Sequence, residues 1–171
     1  MTMKELEQVR LLLLDVDGVL TDGRVLYGSD GQEFKAFHTR DGLGLRLLQN
    51  AGIGLGLVSG RKSDAVRRRA AELNIRWVYM GVRNKASIVE DIALESGIPL
   101  EHMAFVGDDL VDLPPMARVG TPIAVADAAD EVKAAAVWVT RSEGGRGAVR
   151  EIAESILKSQ DRWADTLRLF Q

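Results

Sequence analysis

The sequence has no cysteine and only two histidines among its 171 residues. Without cysteine the chain cannot form a disulfide framework, a thiolate nucleophile or a thiolate metal site. Two histidines are also too few for a histidine-rich zinc centre. The chemistry of this protein is therefore expected to depend on other side chains.

Long hydrophobic runs are absent as well. The longest aliphatic run is far shorter than the roughly 20 residues that a membrane-spanning helix needs, so no membrane segment is expected. The start of the sequence, MTMKELEQVR, alternates charged with apolar residues and lacks the apolar stretch of a signal peptide. A cytoplasmic location is the expectation that follows.

The chain also has little net charge. The value of −3 at pH 7 argues against a general nucleic-acid-binding protein. One stretch, RKSDAVRRRAAEL at residues 61–73, is locally basic. We interpret it as the solvated face of a helix, and no nucleic-acid partner is expected.

The length fits a single domain with a sizeable core, which we place at residues 1–171. Apolar runs typical of strands alternate with segments whose apolar stripes are typical of helices. The predicted strands are 11–16, 53–58, 76–80, 103–107, 121–126 and 137–140, and the predicted helices are 41–52, 62–74, 85–97, 130–136 and 147–159. This alternation predicts an α/β fold with a doubly wound, mostly parallel sheet and helices on both faces, of the Rossmann-like kind.

A β-hairpin is expected to stand apart from this sheet. Residues 24–28 and 33–38 flank the turn sequence SDGQ, in which Asp30 and Gly31 favour a tight turn. A hairpin flap is therefore predicted at about 24–38. Its position soon after the first strand places it beside the aspartates that end that strand.

Aspartates follow two of the predicted strands. The stretch LLLLDVDGVLTDG places Asp15 and Asp17 after an apolar run, and FVGDDLVDLP places Asp108, Asp109 and Asp112 after another. Two like charges ~4 Å apart repel by about 4 kcal/mol at an effective dielectric of ~20, so such acids need a cation or a raised pKa. Carboxylates without histidine or cysteine describe an all-oxygen metal site, for which Mg²⁺ is the best candidate. The alternative is that Asp15 and Asp109 are only turn and helix-capping acids.

A hydroxyl and an ammonium group follow two other predicted strands. Ser59 comes directly after the strand at 53–58, and Lys85 opens the helix after the strand at 76–80. Alone, the serine fits a turn former and the lysine a solubilising side chain. Because ligands of parallel α/β sheets bind beyond the carboxyl ends of the strands, these groups and the acids together predict a receptacle for a phosphoryl group.

The run DVDGVLTDG, followed by Ser59, Lys85 and GDDLVD, resembles the four sequence motifs of the haloacid dehalogenase-like phosphohydrolase superfamily. Further stretches, FHTRDGLGLRLL, VSGRK, VGDDLVDLP and GGRGAVRE, are similar over nearly the whole chain to one uncapped subfamily. That subfamily is the 3-deoxy-D-manno-octulosonate 8-phosphate phosphatases of lipopolysaccharide core biosynthesis. The resemblance implies Mg²⁺-dependent hydrolysis of a sugar-acid phosphate to the free sugar acid and phosphate, through an aspartyl-phosphate intermediate.

The resemblance also implies roles for individual residues. Asp15 would be the nucleophile, and Asp17 the general acid and base. The residues implied to hold Mg²⁺ are Asp15, Asp17 through its backbone carbonyl, and Asp108, with Asp109 or Asp112 in support. The residues implied to hold the phosphoryl oxygens are Ser59, Gly60 and Lys85. Gly18 would let the backbone turn close to the phosphate.

The sequence leaves no room for a cap domain over this site. The segment between Asp17 and Ser59 is used up by the hairpin, one helix and one strand, and the segment between Ser59 and Lys85 by one helix and one strand. An uncapped site is selective only if another chain closes it. The resemblance accordingly implies a homotetramer, in which the hairpins and a neighbour's C-terminal segment close the site.

The C-terminal segment, at about 142–171, is the one implied to close a neighbour's site. The glycines of its first part, SEGGRGAVRE, are expected to give mobility or to form a plain linker. Trp163, Leu167 and Phe170 form one apolar helical face, which packs either on its own domain or on a second subunit. The residues expected to contact the sugar acid are Arg61, Arg146 and His38, although His38 equally fits a structural histidine.

Alternative functions remain open at this point. A nine-carbon sugar-acid 9-phosphate of the sialic-acid type could be the substrate, and Arg61 is the residue that favours the eight-carbon one. A receiver-like signalling module that accepts a phosphoryl group would also use an acid cluster, a hydroxyl and a lysine. Asp17 argues against it, because an acid/base beside the nucleophile shortens the life of the phosphoenzyme.

Overall fold

A computed structural model of the chain describes residues 4–168 and residue 170. Residues 1–3, 169 and 171 belong to the N-terminal and C-terminal segments discussed above and lie outside the described residues. The strands of the main sheet are β1 (Leu11–Leu14), β4 (Gly54–Ser59), β5 (Trp77–Met80), β6 (Met103–Gly107), β7 (Thr121–Ala124) and β8 (Trp138–Val139). All neighbouring pairs are parallel, in the order β5-β4-β1-β6-β7-β8. The predicted doubly wound α/β fold is confirmed.

Helices connect and flank these strands. They are α1 (Lys4–Glu7), α2 (Thr39–Asn50), α3 (Asp64–Glu72), α4 (Lys85–Ser96), α5 (Leu113–Met116), α6 (Asp130–Ala135), α7 (Ala148–Ser159) and α8 (Trp163–Arg168). Short 3₁₀ turns at Leu100–His102 and Leu110–Asp112 were not predicted, nor were α1 and α5. These elements are a single turn each, too short for a periodic apolar pattern to mark them.

The strand β1 lies at the centre of the sheet, between β4 and β6. Its four leucines, Leu11–Leu14, have no exposed surface, which confirms that both faces of this strand are covered. Each buried leucine contributes about 1.5–3 kcal/mol relative to an exposed one. The register pairs Leu14 with Leu57 of β4 and with Val106 of β6, so the residues that follow these strands meet at one edge of the sheet.

The predicted hairpin is present, with shorter strands than expected. Its strands are β2 (Leu26–Tyr27) and β3 (Glu33–Phe34), which pair antiparallel. The turn is closed by a 2.7 Å hydrogen bond from the N–H of Gly28 to the carbonyl of Gln32, and Gly31 has a φ of 80°. The strands stay short because the hairpin forms its own two-stranded sheet and does not join the main one.

The helices α2 and α7 pack closely against each other. Gly44 permits the approach, because a Cβ there would lie 3.1 Å from the Cα of Arg150. Asp41 of α2 is buried, and its carboxylate accepts hydrogen bonds from the N–H groups of Arg150 (2.8 Å) and Gly147 (3.3 Å). Because Gly147 at the N-terminus of α7 has no side chain with which to cap the helix, Asp41 supplies the cap from another helix.

The terminal helix α8 packs only in part on its own domain. Trp163 is half-buried against the core, and the cationic groups of Lys158 and Arg150 lie 5.0 Å and 5.9 Å from its ring centroids. Leu167 and Phe170 remain exposed. Among the described residues, no helix is long and apolar enough to cross a membrane.

Candidate active site

The site lies where β1, β4 and β6 end. Asp15 follows β1 and is held by a 3.0 Å hydrogen bond from its N–H to the carbonyl of Val106. Ser59 is the last residue of β4, and Asp108 follows the last residue of β6. Parallel strands carry these side chains to the same edge, as the sequence pattern predicts.

Lys85 reaches this edge from the start of α4. Asn84 caps the helix, accepting a 3.3 Å hydrogen bond from the N–H of Ser87. The buried Nζ of Lys85 lies 2.7 Å from Oδ1 of Asp15 and 2.7 Å from Oδ1 of Asp112. Burial alone would lower the pKa of Lys85, but the charges of these two aspartates outweigh it, and the pKa is raised. The ammonium group therefore stays charged beside the proposed nucleophile.

Three aspartates form a compact carboxylate cluster. Oxygens of Asp15, Asp108 and Asp112 all lie within 4.8 Å of one another. Burial, and then the charge of Asp112, raises the pKa of Asp15 to about 6, although Lys85 acts in the opposite direction. Burial, and then the charges of Asp15 and Asp112, raises the pKa of Asp108 to about 8. One ammonium group is not enough to compensate three carboxylates at this spacing.

The residues present fit a divalent cation. Oδ1 of Asp108 is buried and accepts no hydrogen bond from any described residue, which leaves a ligand oxygen without a partner. The cluster offers only oxygen donors, the kind of ligand that Mg²⁺ prefers. A cation here would compensate the burial and the mutual repulsion that together raise the pKa of Asp15 and Asp108.

Asp109 and Asp112, which were both predicted to support the metal site, have different roles in the structure. Asp112 has no exposed surface and accepts hydrogen bonds from the N–H groups of Asp108 (3.0 Å) and Asp109 (3.4 Å) as well as from Lys85. The carboxylate of Asp109 instead caps its own 3₁₀ turn, accepting a 2.7 Å hydrogen bond from the N–H of Leu110. The capping interpretation is thus correct for Asp109, and Asp112 is the aspartate that orders the loop of Asp108.

Asp17 lies beside two cations and outside the cluster. Its Oδ1 accepts a hydrogen bond from the ammonium of Lys35 on the hairpin, and its Oδ2 lies 3.7 Å from Nε of Arg61. The side chain of Lys35 has no exposed surface. Sequence reasoning missed Lys35, although its alternation with Glu33 and Phe37 along the predicted strand indicated a shared inward face.

Glu33 ties the hairpin to the loop after β4. Its carboxylate accepts hydrogen bonds from Oγ of Ser63 (2.5 Å) and from the guanidinium of Arg61 (3.2 Å), and Lys35 lies 3.8 Å away. The hydrogen bond from Ser63 is the main cause of the lowered pKa of Glu33. Arg61 also donates to the hydroxyl of Tyr27 at 2.9 Å. These contacts place the predicted substrate residue Arg61 at the mouth of the site, with its side chain half exposed.

Glycines close the loop that follows Asp15. Gly18 has a φ of 97°, and a Cβ there would lie 2.0 Å from Oδ2 of Asp108, so only glycine fits. A Cβ at Gly144 would lie 1.6 Å from the carbonyl oxygen of Gly18, and the N–H of Gly145 donates to the carbonyl of Val19 at 2.9 Å. The packing of Gly144 and Gly145 requires them to lack a side chain, and the mobility expected of this segment stays a prediction.

Ser59 and Gly60 form the turn at the end of β4. Ser59 is buried, and its Oγ accepts a 3.2 Å hydrogen bond from the N–H of Arg61, the turn-forming role that its sequence context favours. Its hydroxyl hydrogen stays free to donate to a ligand. Gly60 is exposed beside it.

The structure does not bring His38 and Arg146 into contact with the carboxylate cluster. His38 precedes α2 beside Asp41, and its Nδ1 is buried without a hydrogen-bond partner among the described residues. Arg146 pairs with Glu143 at 3.3 Å and lines a separate cavity. Their predicted role as substrate contacts stays a prediction.

The chain is similar to known phosphatases over nearly its whole length. A family model of haloacid dehalogenase-like hydrolases matches residues 78–152. The chain is 43% identical to the 3-deoxy-D-manno-octulosonate 8-phosphate phosphatase of Haemophilus influenzae over 159 residues, which is 93% of this chain and 88% of the relative. It is 45% identical to the enzyme of Escherichia coli strain K12 over 156 residues, 91% of this chain and 83% of the relative.

Solved structures of 3-deoxy-D-manno-octulosonate 8-phosphate phosphatases are also similar to the chain. The crystal structure of 3-deoxy-D-manno-octulosonate 8-phosphate phosphatase from Moraxella catarrhalis, in complex with magnesium, phosphate and 3-deoxy-D-manno-octulosonate, matches with a TM-score of 0.96 and 39% identity over 99% of this chain and 97% of that one. The cobalt-bound enzyme of Haemophilus influenzae matches with a TM-score of 0.92 and 41% identity over 96% of this chain and 99% of that one. The identity over almost the full length, added to the buried carboxylates and lysine at the end of a parallel sheet, leads to one conclusion: the chain belongs to the haloacid dehalogenase-like hydrolases and, within them, to the family of 3-deoxy-D-manno-octulosonate 8-phosphate phosphatases.

Proposed function

We propose that this protein is a Mg²⁺-dependent phosphatase that hydrolyses 3-deoxy-D-manno-octulosonate 8-phosphate to the free sugar acid and phosphate, in the biosynthesis of the lipopolysaccharide core. The observation that carries the proposal is the position of Lys85 between Asp15 and Asp112, with an oxygen of Asp108 left without a partner. Lys85 could bind an anionic phosphoryl group, and the oxygen of Asp108 that has no partner could bind a divalent cation. The relatives that are similar over most of the chain are 3-deoxy-D-manno-octulosonate 8-phosphate phosphatases, which supports the proposal.

Three groups would hold the magnesium ion: the carboxylate of Asp15, the backbone carbonyl of Asp17 and the carboxylate of Asp108. When bound, the cation supplies positive charge that compensates the clustered carboxylates and the phosphoryl oxygens. The buried carboxylate of Asp112 would keep the loop of Asp108 in place through the two backbone N–H groups that it accepts.

Asp15 would be the nucleophile of the reaction. Its free carboxylate oxygen attacks phosphorus and forms an aspartyl-phosphate while the bond from phosphorus to the sugar oxygen breaks. Lys85 supports this role, because its ammonium opposes the burial that raises the pKa of Asp15 to about 6. At neutral pH most of the Asp15 carboxylate is then ionised and able to attack.

Asp17 would give a proton to the departing sugar oxygen and then take one from the water that cleaves the aspartyl-phosphate. Lys35 and Arg61 orient its carboxylate from the hairpin and from the loop after β4. The Oγ of Ser59, the N–H of Gly60 and Nζ of Lys85 would hold the phosphoryl oxygens of the substrate. Arg61, which is half exposed, would contact the carboxylate of the sugar acid.

The proposal includes a homotetramer and a cytoplasmic location. In the segments between Asp17 and Ser59 and between Ser59 and Lys85, the structure contains only the hairpin, α2, α3, β4 and β5, so the site has no cap of its own. The hairpin exposes Leu26, Tyr27 and Phe34, apolar surface that a second copy would cover. Sedimentation at several protein concentrations tests the assembly, and a monomer at working concentration would remove this part of the proposal.

The activity is tested by comparing kcat/KM for the eight-carbon 8-phosphate and for a nine-carbon sugar-acid 9-phosphate in the presence of Mg²⁺. We expect the eight-carbon substrate to be preferred, with no turnover by Asp15→Asn. A preference for the nine-carbon substrate would reassign the substrate but keep the chemistry. Turnover by Asp15→Asn would exclude the covalent mechanism.

A further inference from the structure

A cavity on another part of the molecule is lined mainly by basic side chains. It has a volume of about 540 Å³ and lies between β8 with the segment that follows it, a face of α7 that extends to Lys158, and the start of α2. Its basic lining residues are Arg40, Arg141, Arg146, Arg150 and Lys158, against the acidic residues Glu151 and Glu154. We call it the arginine cavity. Its lining contains none of the residues proposed to act on phosphorus or to hold Mg²⁺, but it includes Arg146, a predicted contact of the sugar acid.

Both acidic residues of the arginine cavity accept hydrogen bonds from other groups of the protein. Glu154 accepts hydrogen bonds from Nε of Arg150 (2.7 Å) and from Nζ of Lys158 (2.9 Å). The carboxylate of Glu151 accepts the backbone N–H groups of Arg141 (3.0 Å) and Ser142 (2.9 Å). Glu154 is thus paired with two cations, whereas Glu151 accepts only neutral N–H groups and keeps its negative charge in the cavity wall.

Two guanidinium groups lack an acid at ion-pair distance among the described residues, although the charge of Arg40 acts on the carboxylate of its neighbour Asp41. Among the described residues, the side chains of Arg40 and Arg141 form no ion pair and no hydrogen bond with an acid. The buried carboxylate of Asp41, next to Arg40, is used by the N–H groups of Gly147 and Arg150. Arg146 pairs with Glu143, which is exposed and does not line the cavity. The cavity therefore presents free planar donor groups and an excess of positive charge.

We propose that the arginine cavity binds a small molecule that carries two or more carboxylate or phosphate groups. A guanidinium matches the geometry of either anion with two parallel N–H donors. Two free guanidiniums in one concave site select a ligand with two anionic groups over a ligand with one. The concave shape strengthens the attraction, because charges of one sign at the walls of a cleft concentrate anions there. The volume suits a molecule of metabolite size.

The test uses the full chain with Mg²⁺ and two probes that a phosphatase cannot hydrolyse, tricarballylate and methylenediphosphonate. Isothermal titration calorimetry compares the wild type with the double variant Arg40→Ala/Arg141→Ala. The control is Arg67→Ala/Arg68→Ala, which removes the same charge from exposed positions of α3. We expect saturable binding of at least one probe by the wild type and the control, and a loss of at least about tenfold in affinity in the cavity variant. The probe that binds more tightly tells carboxylate from phosphate.

Three results would overturn the proposal. One is the absence of saturable binding of both probes up to about 10 mM, a range that includes weak metabolite sites. Another is an unchanged affinity in the cavity variant, which would place the probe in the catalytic site that both variants keep. The third is an equal loss in both double variants, which would mean general attraction by net charge. If the alanines lower the Tm, Arg40→Gln/Arg141→Gln gives the same readout at nearly the original side-chain length.

Discussion

Replacing Asp108 by asparagine is expected to stabilise the protein when no divalent cation is present. In the folded chain the pKa of Asp108 is about 8, against 3.8 for the unperturbed group. A carboxyl whose pKa is raised by folding favours the folded state below the unfolded pKa, and this contribution is lost as the pH rises through the folded pKa. The stability of the metal-free wild type should therefore fall between about pH 4 and pH 8.

The size of the effect follows from the same values. At pH 7 the unfolded state releases the proton of Asp108 at a pKa of 3.8 while the folded state retains it, which corresponds to about 4 kcal/mol at about 1.4 kcal/mol per pH unit. Asp15 and Asp112 share the repulsion and solvent reaches part of the group, so we expect roughly half, about 2 kcal/mol, for Asp108→Asn. The exposed neighbour offers a matched control: Asp109→Asn should change the free energy of unfolding by less than about 1 kcal/mol.

The assay is urea unfolding at pH 5, 7 and 8.5 in EDTA and again in Mg²⁺. In EDTA the advantage of Asp108→Asn over the wild type should grow with pH. In Mg²⁺ the order should reverse, because binding to the folded wild type adds stability that the variant cannot gain. An Asp108→Asn protein that is no more stable than the wild type at pH 7 in EDTA would refute the argument that burial and the neighbouring carboxylates disfavour the ionised Asp108 without a cation.

Three further outcomes are expected. Gly18→Ala should lose at least about 10²-fold in kcat, because its Cβ would lie 2.0 Å from Oδ2 of Asp108, whereas Gly31→Ala, at a similar φ of 80° but with no atom within 4 Å, should keep full activity; equal losses would show that only backbone strain matters. Lys35→Met should reduce kcat about tenfold or more for every phosphate ester, with partial recovery in Lys35→Arg, and a kcat equal to that of the wild type would remove it from the mechanism. Asp41→Ala should lower the free energy of unfolding by about 1–2 kcal/mol through the lost cap of α7, with Asp41→Asn in between; thermal unfolding without any change in Tm would contradict that role.

The edge of the sheet could be predicted from the sequence because strand ends can be read from local patterns. Three apolar runs are directly followed by a polar residue and a fourth leads to a helix that opens with Lys85, and the parallel arrangement brings such residues to one edge of the sheet. Asp15, Ser59, Lys85 and Asp108 were found in this way. The sequence does not show the contact of Lys85 with two carboxylates, which explains why a lysine can be buried at this edge.

The residues that sequence reasoning missed depend on contacts between distant segments. Lys35 shares one face of the predicted strand with Glu33 and Phe37, but only the fold of the hairpin over the site buries its side chain against Asp17. Asp41 lies in the first turn of α2, where an acid ordinarily stabilises its own helix, yet it caps α7. The roles of Asp109 and Asp112 differ because the 3₁₀ turn directs their side chains differently, and such a short turn leaves no periodic signal.

The contact between Gly144 and the carbonyl oxygen of Gly18 has a consequence for how the enzyme matures. The loop that carries the proposed nucleophile is synthesised long before Gly144 and Gly145, which provide one of its walls. During synthesis on a ribosome the catalytic loop cannot reach its final shape until that distant wall has emerged and docked. A growing chain would thus carry its reactive aspartate in an incomplete setting, and activity should begin only after residues 144–145 have emerged and docked.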